Sequence, residues 1–213
     1  MFNFSSKTLV NKEYKLSDFL KQIKANKEVR EDAKKIKKIL FQNVITANSI
    51  NTIEEKDYKN IYVIRLVLKC DTLPRLFIEE LDKNIAFHTY FICEYNNKVC
   101  TLIAFKDVGN KIKIDTKYYS HGFRKDELIE VPALNKVSEA YKLMLEYQIG
   151  IKSRKVETPE EYISRVKAIN KLEFQISKTE KGIQYETQPK KKFQYNERLR
   201  KYKKELQELK MED

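Results

Sequence analysis

Asp107 followed by Asp115-Thr116-Lys117 matches, letter for letter, the Asp…Asp/Glu-x-Lys signature of a large class of magnesium-dependent nucleases. That chemistry needs both carboxylates to project together so that one metal bridges them, with the lysine beside the attacking water. The strands that would carry these residues argue against it. A tight turn at Gly109-Asn110 makes Asp107 oppose Ile112 and leaves Asp115 three residues further on, roughly 10 Å away at strand rise. Asp107, Asp115 and Lys117 therefore read as an exposed strand face, with a nuclease kept as the alternative.

Other chemistries find less support. The four glycines (Gly109, Gly122, Gly150, Gly182) stand far apart, so no glycine-rich loop can cradle a phosphate or dinucleotide. His88 and His121 lack ligand spacing to each other or to a cysteine pair, so neither a metal site nor a cofactor is expected. Ser120 and His121 are chain neighbours, which rarely face each other, so no nucleophile pair is indicated. No catalytic residue is assigned outside the nuclease alternative.

Charge says more. The 213 residues carry a net +12, distributed unevenly. Residues 1–42 hold 11 Lys/Arg against 5 Asp/Glu, residues 43–150 hold 15 against 15, and residues 151–213 hold 17 against 11. A neutral centre between two basic ends suits a polyanion binder. The richest cluster is Lys190, Lys191, Lys192, Phe193, Arg198, Arg200, Lys201, Lys203 and Lys204, where cations for phosphates mix with an aromatic that can stack on a base. Lys34, Lys35 and Lys38 form a second, N-terminal group. Three cysteines without a CxxC pattern point to a reducing, cytoplasmic setting. No apolar run approaches the roughly 20 residues that span a bilayer, and the first residues do not form a secretory signal, so no membrane partner is expected.

The elements follow from periodicity. Residues 60–69, NIYVIRLVLK, are apolar on both faces except at Arg65, so they predict a strand in the middle of a sheet. Before it, Ser17 caps a short helix. Val29, Ala33, Ile36 and Leu40, spaced four, three and four, predict a second helix with its lysines outward. Residues 44–53 read as a strand, and Leu73, Phe77, Leu81 and Ile85 line one face of a helix opened by Pro74. Residues 87–95 and 98–106 predict a hairpin on Asn96-Asn97, which sets Cys93 opposite Cys100 as small packed residues. Residues 111–119 read as a half-exposed strand near an edge. Leu134, Val137, Tyr141 and Met144 give a last helix, and Gly150 ends the domain.

Beyond it, Thr158-Pro159-Glu160-Glu161 is a strong helix start. Tyr162, Ile169, Ile176 and Ile183 recur every seven residues, and Gly182 and Pro189 interrupt the pattern. A second seam follows at Tyr195, Leu199, Tyr202, Leu206 and Leu209. The seams are out of phase, which predicts an antiparallel, coiled-coil-like hairpin closing within 182–190.

Several strings resemble an uncharacterised prokaryotic domain-of-unknown-function family. They are Thr8-Leu9-Val10-Asn11-Lys12 with Lys15, the strand at 61–69, Ile78-Glu79-Glu80-Leu81-Asp82-Lys83-Asn84-Ile85 with Phe91, Tyr118, and Lys192-Phe193-Gln194-Tyr195-Asn196 before Leu199. Members often carry a tryptophan just after the Tyr118 position, where this chain has none and His121-Gly122-Phe123 stands instead. The resemblance implies a setting beside helicases and DNA methyltransferases in restriction or phage-defence loci, and it carries no catalytic residues.

The expected protein is α+β: a mostly antiparallel sheet of about five strands covered by helices, with a basic C-terminal helical hairpin. Its parts are a basic helical segment over 1–43, a core over 44–150 and the hairpin over 151–213. The expected role is a non-enzymatic accessory subunit bound to nucleic acid, DNA rather than RNA, and to a helicase or methyltransferase. A homodimer through the C-terminal helices is a further expectation. A protein-interaction module without nucleic-acid binding is the other alternative.

Overall fold

The computed structural model describes residues 2–108 and 112–211, with Thr116 described by its backbone alone. The chain divides into two compact units, Met1–Gly150 and Ile151–Asp213.

In the first unit a six-strand path orders as β2 (Leu9–Tyr14), β3 (Ile36–Thr46), β4 (Asn60–Leu68), β5 (His88–Tyr95), β6 (Lys98–Asp107) and β7 (Lys113–Ser120). The short β8 (Arg124–Lys125) pairs with the start of β6, giving seven strands rather than five. Within this sheet β4 and β5 are the parallel pair, and helix α3 (Arg75–Asn84) supplies the crossover that such a pair requires. A separate two-stranded ribbon pairs β1 (Phe2–Asn3) with β9 (Ile129–Glu130).

β4 takes the expected middle place. Ile64, Leu66 and Leu68 face the helices α1 (Leu16–Gln22), α2 (Lys27–Ala33) and α3, packing with Phe19, Val29, Phe77, Leu81 and Phe91. Arg65, the polar exception, is paired with Glu94 at 2.5 Å and donates to Gln42 at 2.6 Å. On the other side lies α4 (Val137–Ile149), which buries Val137, Ala140, Tyr141, Met144 and Leu145 and stops at Gly150 in the left-handed conformation. No residue of its own caps its start. The Glu55 carboxylate does so instead, accepting from the Ser138 amide at 2.8 Å and hydroxyl at 2.7 Å.

The N-terminal expectations need correction. Lys15, not Ser17, is the cap residue of α1, and Ser17 bonds Asp18. The helix expected to reach Leu40 ends at Ala33, and Ile36 opens the eleven-residue strand β3. The strand expected over 44–53 is the end of β3, which stops at Thr46. Register shifts at Ile36/Lys38 and Phe41/Asn43 explain the misreading. The bulges place buried Ile36, Ile39 and Asn43 three and four residues apart, a helical spacing produced by a strand. The Asn96-Asn97 hairpin behaves as its sequence predicts. Both residues have positive φ (46° and 58°), and Tyr95–Lys98, Glu94–Val99 and Cys93–Cys100 pair in the expected register. The Cys93 and Cys100 thiols are fully buried. The turn expected at Gly109-Asn110 lies outside the described residues.

The second unit consists of α5 (Pro159–Tyr185) and α6 (Pro189–Lys210), joined by three residues. Thr158 and Glu161 form the capping box, at 3.2 and 2.8 Å. Tyr162, Val166, Ile169 and Leu172 of α5 are buried. Lys203 reaches Glu180 at 2.9 Å and Lys210 reaches Glu173 at 2.7 Å, exposed pairs that join α6 to α5. Among the described residues no helix is long and apolar enough to cross a membrane.

Candidate nucleic-acid interface

Gly182 does not end α5, as its residue type suggested; it lies inside the helix with the Tyr195 ring of α6 over it. A Cβ there would sit 3.7 Å from that ring, an ordinary contact. Gly182→Ala should therefore stabilise the hairpin by about 0.5–1 kcal/mol through helix propensity. The check is a thermal melt followed by circular dichroism, and a lower melting temperature would show that Tyr195 packs more closely than this.

On α6 the seam residues Tyr195, Leu199, Tyr202, Leu206 and Leu209 are all half-buried and none is fully buried. The rest of the helix surface is mostly cationic. Lys201 pairs with Glu205 at 3.9 Å and Arg200 with Glu197 at 3.5 Å, both exposed pairs worth little. Among the described residues Lys190, Lys191, Lys192, Arg198 and Lys204 have no carboxylate partner, and Phe193 is 67% exposed.

The first turn of α6 is unusual. Pro189 opens it, Lys190, Lys191 and Lys192 follow, and it contains no acidic residue. A helix N-terminus already carries about half a positive charge, so lysines there oppose the macrodipole while acids would support it. α5 obeys that rule, with Glu160 and Glu161 in its first turn. The α6 start therefore gives up helix stability to concentrate positive potential beside an exposed aromatic.

The N-terminal lysines are not brought together in this way. Lys34 pairs with Glu31 at 2.7 Å and Lys35 with Asp32 at 2.6 Å at the end of α2, while Lys38 sits in β3 beside Glu13 at 3.3 Å. They do not share the helical face the sequence suggested.

The Asp107 pattern also changes in detail. Asp107 opposes Lys113, not Ile112, and the register shifts again between Ala104 and Lys106. Asp115 thus stands two residues beyond that partner, about 7 Å along the strand. Lys117 lies over the Tyr119 ring at 4.7 Å. Among the described residues no three His, Cys, Asp or Glu side chains converge as a metal site would require. His121 is turned away from Ser120 chemistry, its Nε2 lying 2.6 Å from the Tyr147 carbonyl.

Two buried polar features escaped the sequence reading. On the α3 side, Lys106 Nζ donates to Asp82 Oδ1 at 2.8 Å, to the Asp82 carbonyl at 2.6 Å and to the Ile85 carbonyl at 2.6 Å. Thr89 donates to Asp82 Oδ1, and Tyr118 donates to Oδ2 at 2.7 Å. Burial lowers the Lys106 pKa, opposed by the Asp82 charge and hydrogen bond. All three ammonium donors are used and both ionised side chains are 1% exposed, so the pair has no proton or charge to offer a substrate. On the α4 side, His88 stacks on Tyr58 at 4.6 Å between ring centroids and meets the tilted Tyr141 ring at 4.4 Å, the three rings forming one cluster. The signal available in sequence was Asp82, a charge on the same helical stripe as Ile78 and Ile85. A cleft of about 390 Å³ near Glu54, Glu55 and Tyr58 has its Glu55 carboxylate committed to capping α4.

The sheet unit and the helix pair each carry a net +6, but the helix pair carries it on 63 residues against 150, so positive charge is densest there. Neither a curated protein nor a solved structure matches the chain. The family model described as a domain of unknown function, DUF4391, matches residues 2–206, which reach into both units, and the chain belongs to that family.

Proposed function

We propose that this protein is a non-enzymatic accessory subunit that holds DNA through α6, in the service of a helicase or DNA methyltransferase in a restriction or anti-phage system. The observation that carries the DNA part is the acid-free first turn of α6, where Lys190, Lys191 and Lys192 crowd the positive end of the helix next to exposed Phe193. The helicase or methyltransferase part rests on the family resemblance. A second reading, dimerisation through α6, is favoured by the seam that α5 leaves half-buried.

The deciding experiment titrates labelled duplex DNA with the purified chain across a salt series, with magnesium present and products run on a denaturing gel. The variant changes Lys190, Lys191, Lys192, Arg198 and Arg200 to glutamate. The native chain should bind with steep salt dependence and cut nothing, and the variant should lose retention at low salt with a slope smaller by about 4. Unchanged retention would remove DNA from the proposal. Cleavage that disappears in Asp115→Ala would establish the nuclease instead. Light scattering on the same samples reads the dimer directly.

A further inference from the structure

The outer face of α5 carries a second feature. Lys171, Phe174, Lys178, Lys181 and Tyr185 recur at spacings of three, four, three and four, which keeps them on one stripe of a helix. Their spacing is that of a packing seam, yet all five are exposed: Phe174 is 69% and Tyr185 80% in solvent. The stretch contains two acids, Glu173 and Glu180, and these lie on another face, engaged by Lys210 and Lys203 of α6. Among the described residues the three lysines have no carboxylate partner. The stripe is thus purely cationic and aromatic over about 21 Å of helix.

We infer that this stripe binds a single-stranded nucleic acid, with Phe174 and Tyr185 stacking on unpaired bases and the three lysines meeting the intervening phosphates. Charge selects a polyanion. The aromatics select one whose bases are open, because duplex bases stack on each other and present only edges in the grooves. A membrane surface fits less well, since an interfacial helix separates its apolar face from its lysines, whereas here both share one stripe. No side chain of the stripe is an arginine or amide suited to reading base edges, so binding should be indifferent to sequence.

The inference rests on the reading of the helix pair as a nucleic-acid binder but stands on different residues. The test measures fluorescence anisotropy of labelled oligo(dT) and of a duplex for four proteins: the native chain, Phe174→Ala/Tyr185→Ala, Lys171→Gln/Lys178→Gln/Lys181→Gln, and the five-site α6 variant. Circular dichroism checks that helix content is equal. The aromatic pair should lose about 10- to 100-fold on oligo(dT) and nothing on duplex. The lysine triple should lower the single-strand salt slope by about 2. Unchanged oligo(dT) binding in the aromatic variant, or an equal loss on duplex, overturns the stripe. If only the α6 variant weakens binding, the stripe fails and the α6 reading stands, whereas a native chain that binds neither oligonucleotide overturns both.

Discussion

Asp82→Ala should destabilise the first unit by about 3–5 kcal/mol, the range expected when one member of a buried ion pair is removed. Three losses coincide. Lys106, 1% exposed, would keep its charge without a counter-ion. The hydroxyls of Thr89 and Tyr118 would each lose their acceptor. The ammonium that closes the end of α3, through the Asp82 and Ile85 carbonyls, would be held by those carbonyls alone. Desolvation already lowers the Lys106 pKa, and without Asp82 it must fall further. A lysine whose folded pKa lies below its unfolded value binds fewer protons in the native state. The variant should therefore recover part of its loss as pH rises toward 10.5, the ordinary lysine value. Replacing both partners, Asp82→Leu with Lys106→Met, should be far milder than Asp82→Ala. Urea unfolding of the three variants decides the matter, and a loss below about 1 kcal/mol for Asp82→Ala would mean that water reaches Lys106.

What could be read in advance was what depends on neighbours in the chain. The β5–β6 hairpin was legible because two asparagines accept positive φ and set the register by themselves. The start of α5 was legible because Thr158, Pro159 and Glu161 are a complete local signal. β3 was not, because its bulges depend on pairing with β2 and β4 and disguise a strand as a helix. The Asp82–Lys106 pair was hidden by 24 residues of separation, and the Glu55 cap of α4 by 83. Asp82 and Tyr118 both lie in stretches that carried the family resemblance, and the fold joins them by one hydrogen bond. On the helix pair, attention to the apolar seam of α5 concealed the stripe on its back. Phe174 and Tyr185 lie off that seam, and their exposure is what sets them apart from core residues.

His88 should make the protein acid-sensitive in a defined window. Its imidazole packs on Tyr58 and Tyr141, 2% exposed. Burial first, then the positive charge of Lys106, pushes its pKa down from 6.5 to about 4, while a hydrogen bond to the Lys106 backbone and the Asp107 charge pull weakly the other way. The folded state thus keeps a neutral ring at a pH where the unfolded chain has taken up a proton. Its contribution is fully present above pH 6.5, declines as pH falls, and is gone once pH passes about 4, where both states are protonated. At about 1.36 kcal/mol for each pH unit, the fall from 6.5 to about 4 amounts to about 3 kcal/mol. Carboxylates titrate in the lower part of the same range, so the native curve alone is ambiguous. His88→Phe keeps an aromatic ring in the stack and removes the proton, and subtracting its stability–pH curve isolates the histidine. The difference should be flat above pH 6.5, change by about 3 kcal/mol down to pH 4, and level off below. A flat difference throughout would mean that the imidazole is protonated as easily in the fold as in water, and would overturn burial as the force that keeps it neutral.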